Sequence, residues 1–555
     1  MLYFELISVI LSQPGKAHNT IEIFKDLEHN IPEIRSDVRF YALLAEAAGF
    51  MLLKEKLDMH DDRIDYITQI LLCQPLENGS NTLSIQALKS RLGIEPEIQK
   101  QYFGQIDDTI ARNHISNILS NLVGSLSSEE ERMDAFLCVI KNNWNCSRFF
   151  YGNNKDKNRD ALTSACNKII KNNEWHGFDP QTLYGFIRAV NSIDQDRADI
   201  LINEISLKFN NKSLSLSNPI GLLIYRNNKR HELFEKLSAR YGGSLLETQK
   251  KLNVAVCISG QLRGYHGCLE ALIDILGLDE HRYRVFVHTW NNIGRKFPVL
   301  ANSAKRAFDG EFFITYINVF RGKKDIEGYI ESSYPNFYSL LVNCNQASLE
   351  RLREYYKTDD IVIEKEESEQ FSSWGNQEKM HYKIYAAHNL AVNCGENFDL
   401  EIRIRPDCKI SAKEKINLQD IYKLSKSNLS VFTPGGLSNN GVWKTTMIHD
   451  IFAIGVPEAM SAYTDTYKDS KFFVSNNAFD YPDFFMGHVT IEHNLFANGV
   501  HIDKTVGGPL LDPEKLSKED IYRSLCEDIK NRSPTHEDHL LIEACKKDME
   551  LEKAI

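Results

Sequence analysis

The chain has 555 residues, of which 42% are hydrophobic and 25% charged, and its formal net charge at pH 7 is −11. This composition excludes a fibrous or wholly disordered protein, and the length is too great for a single core, so we expect two main parts. The negative charge argues against nucleic acid as a partner, although a local basic pocket for a small phosphate-bearing ligand is compatible with it. The eleven cysteines show no CxxC pair and no zinc-type spacing, so we expect a cytoplasmic setting and no structural zinc.

The chain carries no clear signal for membrane insertion. Residues 1–11 are apolar, but they include Glu5 and lack a basic lead, so we expect a short buried helix rather than a signal peptide. Later segments fall short of the roughly 18 uncharged apolar residues that a membrane span needs. Any membrane contact is therefore expected to be peripheral, at the inner face of the membrane.

Throughout residues 1–245, apolar residues recur three and four positions apart, as they do on one face of a helix. Val38, Tyr41, Ala42 and Ala45 are an example. Short polar breaks separate segments of ordinary helix length, which is typical of stacked helical pairs. A clean repeat period is missing, so a tetratricopeptide-like solenoid and an irregular bundle both stay open. We predict an all-helical domain over 1–245 that binds a protein partner or self-associates.

A different pattern begins at residue 252. The apolar run 252–260 predicts a buried parallel strand, and it closes with Ser259-Gly260 before a helix over about 267–276. A turn of this kind offers backbone donors to an anion, and Arg263 can add a charged contact; an ordinary strand-to-helix turn is the alternative. Residues 283–290 predict a second strand, which ends in polar and aromatic residues, among them His288.

The middle of the chain is less legible. We predict further strands over 312–320 and 361–364, and a helix over 377–394 that carries His381 and His388. Helical histidines are more often surface or capping groups than ligands, and we interpret these two in that way.

Residues 398–407 alternate at period two between apolar and charged side chains and then reach Pro406, so they predict a strand with Asp407 at its exit. Ligands of open α/β sheets bind beyond the carboxyl ends of strands, where Arg403, Arg405 and Asp407 would meet a phosphorylated ligand or its metal. An edge strand with a solvated charged face is the alternative interpretation.

Further elements follow. We predict strands over 429–432, 447–455 and 500–503, a helix from Pro457 and a helix over 484–498 that bears Glu492. Asp450, at the mouth of a strand, either contacts an acceptor or caps a turn. Residues 511–555 predict two amphipathic helices that fold back on the body or pair with another subunit.

Taken in order, five segments resemble bacterial GT-A-type glycosyltransferases of surface-polysaccharide biosynthesis, of the capsule or O-antigen kind. The segments are Val254–Arg263, Val285–Trp290, Arg403–Asp407, Asp450–Gly455 and Glu492–Leu495. The resemblance covers roughly residues 252–505 and does not extend to the helical half. It implies a GT-A-like, Rossmann-like mixed α/β sheet over 252–510.

The resemblance also implies an activity: transfer of a sugar from a nucleotide-sugar donor to a glycan or a lipid-linked glycan. Ser259, Gly260, Gln261 and Arg263 would lie along the nucleotide, with His288 nearby. Asp407 would occupy the place of the metal-binding acidic motif, with Mn²⁺ or Mg²⁺ on the diphosphate. That motif usually has two aspartates around one residue, whereas this chain has Arg405-Pro406 in the first positions. Arg403 and Arg405 are therefore the alternative to a metal for neutralising the charge of the leaving group.

An inverting transfer needs a base for the acceptor hydroxyl, and Asp450 and Glu492 are the candidates, with Asp450 preferred; a retaining transfer needs neither. The alternative function is a helical-repeat interaction or scaffold protein whose α/β half is a non-catalytic nucleotide-binding-like domain. A phosphotransferase is disfavoured because the GxxxxGK[ST] loop and the kinase glycine-rich loop are missing from the sequence.

Overall fold

The computed structural model describes residues 129–130, 132–133, 137, 155–172, 174–209, 214–241, 251–293, 297–298, 301–342, 345–411, 415–440, 445–482, 485–505, 508–511 and 515–554. The predicted N-terminal helix and most of the predicted helical pairs before residue 155 lie outside this range. No helix of the described residues is long and apolar enough to cross a membrane.

The helices of the described chain are α1 (Lys155–Asn172), α2 (Pro180–Asn191), α3 (Gln195–Phe209), α4 (Pro219–Arg240), α5 (Cys268–Leu276), α6 (Ala301–Ala307), α7 (Gly310–Phe320), α8 (Ile326–Ser333), α9 (Pro335–Val342), α10 (Leu349–Tyr356), α11 (Glu369–Ser372), α12 (Asn376–Asn393), α13 (Leu418–Asn428), α14 (Pro457–Thr464), α15 (Thr466–Ser475), α16 (Gly487–Ala497), α17 (Lys518–Ile529) and α18 (His536–Ala554). Short 3₁₀ helices span Glu174–Gly177 and Leu278–Glu280.

The strands of the described chain are β1 (Asn253–Gly260), β2 (Arg282–Trp290), β3 (Asn292–Ile293), β4 (Asn345–Gln346), β5 (Ile361–Glu364), β6 (Leu400–Ile404), β7 (Cys408–Ser411), β8 (Ser430–Pro434), β9 (Ser438–Asn440), β10 (Thr445–Met447), β11 (Phe452–Gly455), β12 (His501–Thr505) and β13 (Gly508–Leu511). Seven of them form a mixed sheet in the order β5-β2-β1-β6-β11-β8-β12. Strand β11 is antiparallel to both of its neighbours, and the other neighbouring pairs are parallel. The predicted mixed α/β sheet is therefore confirmed.

Helices α1 to α4 form the described part of the predicted helical region. Proline stands at the first position of α2 and of α4, where the missing N–H costs nothing, and Asp179 and Asn218 cap these two helices through Thr182 and Ile220. Their apolar faces share a core with Phe473 of α15 and Phe496 of α16. This part of the helical region thus packs directly on the α/β part, and the 1–245 boundary stays a prediction.

Strand β6 lies at the centre of the sheet, and all five of its residues are buried. The interpretation of an edge strand with a solvated charged face is therefore wrong. Helix α12 covers one face of the sheet. Its His388 is 5% exposed, and Nδ1 of this residue lies 2.8 Å from a carboxylate oxygen of Glu401 on β6. His381 is also buried, so the surface interpretation of both histidines is wrong as well: the buried carboxylate of Glu401 has its partner, His388, on the covering helix.

Residues 312–320 form helix α7, not the predicted strand. Phe312, Tyr316 and Phe320 recur at a spacing of four and are buried together on one side of it. The carboxylate of Asp548 accepts hydrogen bonds from the backbone N–H groups of Glu311 and Phe312, both at 2.9 Å. The first turn of α7 is thus capped by the C-terminal helix.

The C-terminal helices α17 and α18 fold back on the body, as one of the two alternatives predicted. Leu525 and Leu541 join a core formed with α6 to α9. Asp538 of α18 accepts a hydrogen bond from Tyr334 at 2.7 Å. The tail is therefore part of a helical unit with residues 301–342.

Candidate functional site

The candidate site lies at the point where the strand order of the sheet reverses. From β1 the chain adds β2 and β5 on one side, whereas β6 adds on the other. Ligands of open α/β sheets bind outside the carboxyl ends of strands at such a switch point. Here Gly260 ends β1 with φ of 126°, and a Cβ added to it would lie 3.7 Å from Cδ of Pro406. The backbones after β1 and β6 therefore approach one another closely.

The exit of β6 is fixed by an ion pair between Arg405 and Asp407. Arg405 donates from Nε and Nη2 to the two carboxylate oxygens of Asp407 at 3.0 and 2.8 Å. Asp407 is 2% exposed, whereas the Arg405 side chain is 17% exposed. Burial opposes the charge of Arg405, but Asp407 and Asp450 outweigh it and raise the pKa of the guanidinium. Arg405 is thus a fixed cation with an accessible side.

Arg263, in the turn after β1, belongs to the same charge cluster. Burial lowers the pKa of Arg263 to about 10, and Asp407 acts in the opposite direction. Its Nε is buried with no hydrogen-bond partner among the described residues. Arg263 and Arg405 therefore lie in one group of charged residues around Asp407 at this edge.

The other residues predicted after β1 surround this cluster. The hydroxyl of Ser259 is buried and has no hydrogen-bond partner in the described part of the chain. Gln261 donates from Nε2 to Glu366 at 3.1 Å, and the carbonyl of Gly260 accepts from the hydroxyl of Thr289 at 2.7 Å. The turn is thus held by polar contacts with β2 and with the segment after β5.

Arg403 lies deeper, near Tyr463 of helix α14. It is 1% exposed, and its Nε and Nη1 are buried without a hydrogen-bond partner within the described residues. Burial lowers the pKa of its guanidinium, while Tyr463 and Asp450 act in the opposite direction. Arg403 is therefore a buried guanidinium close to Tyr463 and Asp450, whereas the Arg405 side chain is partly exposed.

Asp450 precedes β11, and because β11 is antiparallel, its start lies at the same sheet edge as the end of β6. The carboxylate is 7% exposed. Burial alone would raise the pKa of Asp450, but His488, Arg403 and other nearby positive groups outweigh it and hold that pKa below its ordinary value. Asp450 is therefore an ionised carboxylate among cationic groups.

Sequence reasoning missed His488, at the start of α16. Its Nδ1 lies 3.5 Å from Oδ1 of Asp450 and donates to the carbonyl oxygen of Ile448 at 2.8 Å. The side chain is 46% exposed, so an oriented and partly solvated imidazole lies beside the buried carboxylate. The histidine lies on a separate element far along the chain from Asp450, and no spacing in the sequence joins the two.

His288 is placed at the same edge but on a separate group of contacts. Its Nδ1 lies 3.3 Å from Nζ of Lys383, which also donates to Glu364 at 2.7 Å. Burial and the charge of Lys383 lower the pKa of His288 to about 3. His288 is thus a buried neutral residue that packs between the sheet and α12.

Glu492 lies at the contact between α16 and the helical region. Its Oε2 is 2.6 Å from Nη2 of Arg188 on α2, and both side chains are almost fully buried. Burial would raise the pKa of Glu492, but Arg188 and His493 together lower it to about 2. The structure therefore places Glu492 in a buried ion pair, apart from the accessible edge at Arg405.

The residues at this edge are a poor fit to a divalent metal. Both oxygens of Asp407 are engaged by Arg405. Among the described residues, no group of three or more His, Cys, Asp or Glu side chains is arranged to hold a metal ion. A metal on Asp407 would have to displace a bidentate guanidinium, which is itself a strong partner for a carboxylate.

Comparisons of the chain with models of protein families, with curated proteins and with solved structures gave no significant match.

Proposed function

We propose that this protein is a glycosyltransferase that moves a sugar from a nucleotide-sugar donor to a glycan acceptor in the synthesis of a cell-surface polysaccharide. One observation carries the proposal: Arg405, held in a bidentate ion pair by Asp407, and Arg263, which feels the charge of the same carboxylate, lie together at the switch point of the sheet. The two guanidinium groups at this edge suit the diphosphate of a nucleotide sugar.

The sheet supports the same proposal. Four parallel strands, β5, β2, β1 and β6, are followed by the antiparallel β11, and this order is compatible with the GT-A-like sheet that the sequence resemblance implies. A fold alone does not establish a function. The charged groups at the edge therefore carry more weight here than the strand order.

In the proposed reaction the bond between the anomeric carbon and the diphosphate oxygen breaks, and the nucleoside diphosphate leaves with the electron pair. Arg263 and Arg405 stabilise the negative charge that develops on this leaving group, and Asp407 already orients Arg405 before the reaction begins. The acceptor oxygen forms the new bond to the anomeric carbon and loses its proton. No step requires a metal on Asp407.

If the transfer inverts configuration, Asp450 accepts the proton of the acceptor hydroxyl. It is ionised, it lies at the same edge as Arg405, and the exposed His488 lies beside it. Glu492 is the weaker candidate, since its carboxylate is engaged by Arg188. Proton transfer to Glu492 would require that buried pair to separate.

The proposed acceptor also has consequences for where the protein acts and what it contacts. A lipid-linked glycan acceptor would bring the protein to the inner face of a membrane by peripheral contact. The helical region before residue 245 would then contact a protein partner or a second copy.

The test is turnover of a panel of nucleotide sugars by the purified chain, with and without Mn²⁺, followed by release of the nucleoside diphosphate. The proposal expects release from at least one donor. Failure to bind or turn over any donor in the panel would reject the transferase and favour the alternative, a helical scaffold protein with a non-catalytic α/β domain.

A further inference from the structure

The carboxylate of Glu366 lies beside the turn that follows β1. Strand β5 ends at Glu364, and Glu366 comes shortly after it. Its Oε2 accepts a hydrogen bond from Nε2 of Gln261 at 3.1 Å, and its Oε1 lies 3.3 Å from Nζ of Lys379 on α12. The Glu366 side chain is 18% exposed. A partly accessible carboxylate is therefore held between the turn and α12, at the same edge as the candidate site.

The backbone that carries Glu366 is also held in place. Its N–H donates to Oδ1 of Asn291, the residue after β2, at 3.0 Å. The N–H of Asn291 in turn donates to the carbonyl oxygen of Glu364 at 2.8 Å. These two hydrogen bonds join the segments that follow β2 and β5. The position of Glu366 is thus set before a ligand binds, which lowers the entropy that binding costs.

The carboxylate of Glu366 can accept further hydrogen bonds. A carboxylate offers about four acceptor positions, and among the described residues Gln261 and Lys379 supply the donors for two of those of Glu366. Arg263 is close by: burial lowers its pKa to about 10, and the charge of Glu366 is one of those that oppose this change. A ligand of the size of a nucleotide can therefore reach both Arg263 and Glu366.

The order of the strands gives the direction in which a donor would lie. This part of the sheet runs β5-β2-β1-β6-β11. Arg263 and Arg405 follow β1 and β6, whereas Asp450 precedes β11, on the far side of β6. With the diphosphate at the two arginines, the reacting sugar lies toward Asp450, because the base acts on the hydroxyl that attacks this sugar. The nucleoside, at the other end of the diphosphate, then extends over the ends of β2 and β5, where Glu366 lies.

We propose that Glu366 accepts hydrogen bonds from the 2′- and 3′-hydroxyl groups of the donor's ribose, and that the donor is a ribonucleotide sugar rather than a deoxyribonucleotide sugar. Two neighbouring hydroxyl donors match the acceptor positions that remain on this carboxylate, and hydrogen bonds to a charged group are among the stronger ones. A donor without the 2′-hydroxyl leaves part of the carboxylate without its partner. The proposal rests on the proposed function and deepens it, because it states which end of the donor lies over β5.

Calorimetric binding of UDP and GDP to the full chain, each compared with its 2′-deoxy form, tests the proposal without knowledge of the donor sugar. We expect the unaltered chain to bind at least one ribonucleotide roughly tenfold more tightly than its 2′-deoxy form. Glu366→Ala should lose most of this preference, and so should Glu366→Gln, which keeps the size of the side chain but not its charge. Glu367→Ala is the matched control, because Glu367 is the exposed neighbour whose side chain bonds to Asn292.

The ratio of the two affinities separates ribose binding from a structural role of Glu366. If Glu366 only held Gln261 and Lys379 in place, Glu366→Ala would weaken both forms of the nucleotide equally, and an unchanged ratio would overturn the proposal. Equal affinity of the unaltered chain for the two forms, or binding of neither nucleotide, would overturn it as well. Failure of the proposed function is distinguishable: ribonucleotides would bind with a preference that depends on Glu366, while no nucleotide sugar was turned over.

Discussion

Arg405 and Asp407, separated only by Pro406, form a two-pronged ion pair at the exit of the central strand, with N–O distances of 3.0 and 2.8 Å. The carboxylate is buried and the guanidinium is partly exposed. Asp407 therefore acts on the candidate site through Arg405, whose direction it fixes.

Replacement of Asp407 should remove this orientation. We expect Asp407→Ala to reduce release of nucleoside diphosphate roughly 100-fold, the scale of losing one preorganised group that stabilises developing charge. Asp359→Ala is the control, because Asp359 is 90% exposed and pairs only at the surface with Arg353. Turnover by Asp407→Ala equal to that of the control would exclude Asp407 from the site.

Removal of divalent metal should have little effect on the reaction. Since both oxygens of Asp407 are bonded to Arg405, we expect turnover in excess EDTA to stay within about twofold of turnover in Mn²⁺. Nucleotide release in the two buffers measures this directly. A complete loss in EDTA that Mn²⁺ restores would show that a metal displaces the guanidinium.

Asp450 predicts a characteristic pH dependence. Its pKa is held below the ordinary value, so the carboxylate stays ionised, and able to accept a proton, to below the usual range near pH 3.9. We expect the rate of transfer to stay level from pH 7 down to about pH 5, and Asp450→Asn to lose transfer while keeping affinity for the nucleoside diphosphate. An acid limb between about pH 5 and pH 7 would contradict the assignment of the base to Asp450.

The Arg188–Glu492 pair should be a major contribution to stability. Glu492→Gln would leave Arg188 buried opposite a neutral side chain, and we expect a loss of roughly 3–5 kcal/mol in the free energy of unfolding in urea. Arg188→Met combined with Glu492→Gln should recover much of that loss. A single variant as stable as the unaltered chain would show that the pair does not hold α16 to α2.

The same pair predicts how stability depends on pH. The folded-state pKa of Glu492 is lowered to about 2, below its ordinary value of 4.5, so its contribution is complete above the ordinary value and is lost as pH falls toward about 2. Urea unfolding between pH 6 and pH 3 should therefore show a decline that Glu492→Gln reduces. An equal decline in both proteins would contradict this assignment.

Much of the sheet could be predicted from the sequence. The apolar run before Gly260 and the alternation before Arg405 each specify a strand by period, and the ends of those strands brought Arg263, Arg405 and Asp407 to one edge. The prediction of a strand over 312–320 was wrong because it followed composition: aromatic and β-branched residues favour strands. Phe312, Tyr316 and Phe320 nevertheless had the spacing of a helix.

The partners of the charged residues could not be predicted in the same way. Arg188 and Glu492 are 304 positions apart, and His488 reaches Asp450 only because α16 packs beside the antiparallel strand β11. The burial of Arg403 followed from the helix that covers β6, which alternation alone did not reveal. Pairing of charges under a covering helix depends on tertiary packing and leaves no local period in the sequence.

The central claim is that the edge between β1 and β6 holds the diphosphate of a nucleotide-sugar donor. An experimental structure of the full chain soaked with UDP or GDP tests this most directly. We predict diphosphate oxygens within hydrogen-bond distance of Arg263 and Arg405, in front of Gly260. A nucleotide bound elsewhere, or an edge that stays empty at saturating nucleotide, would contradict the account.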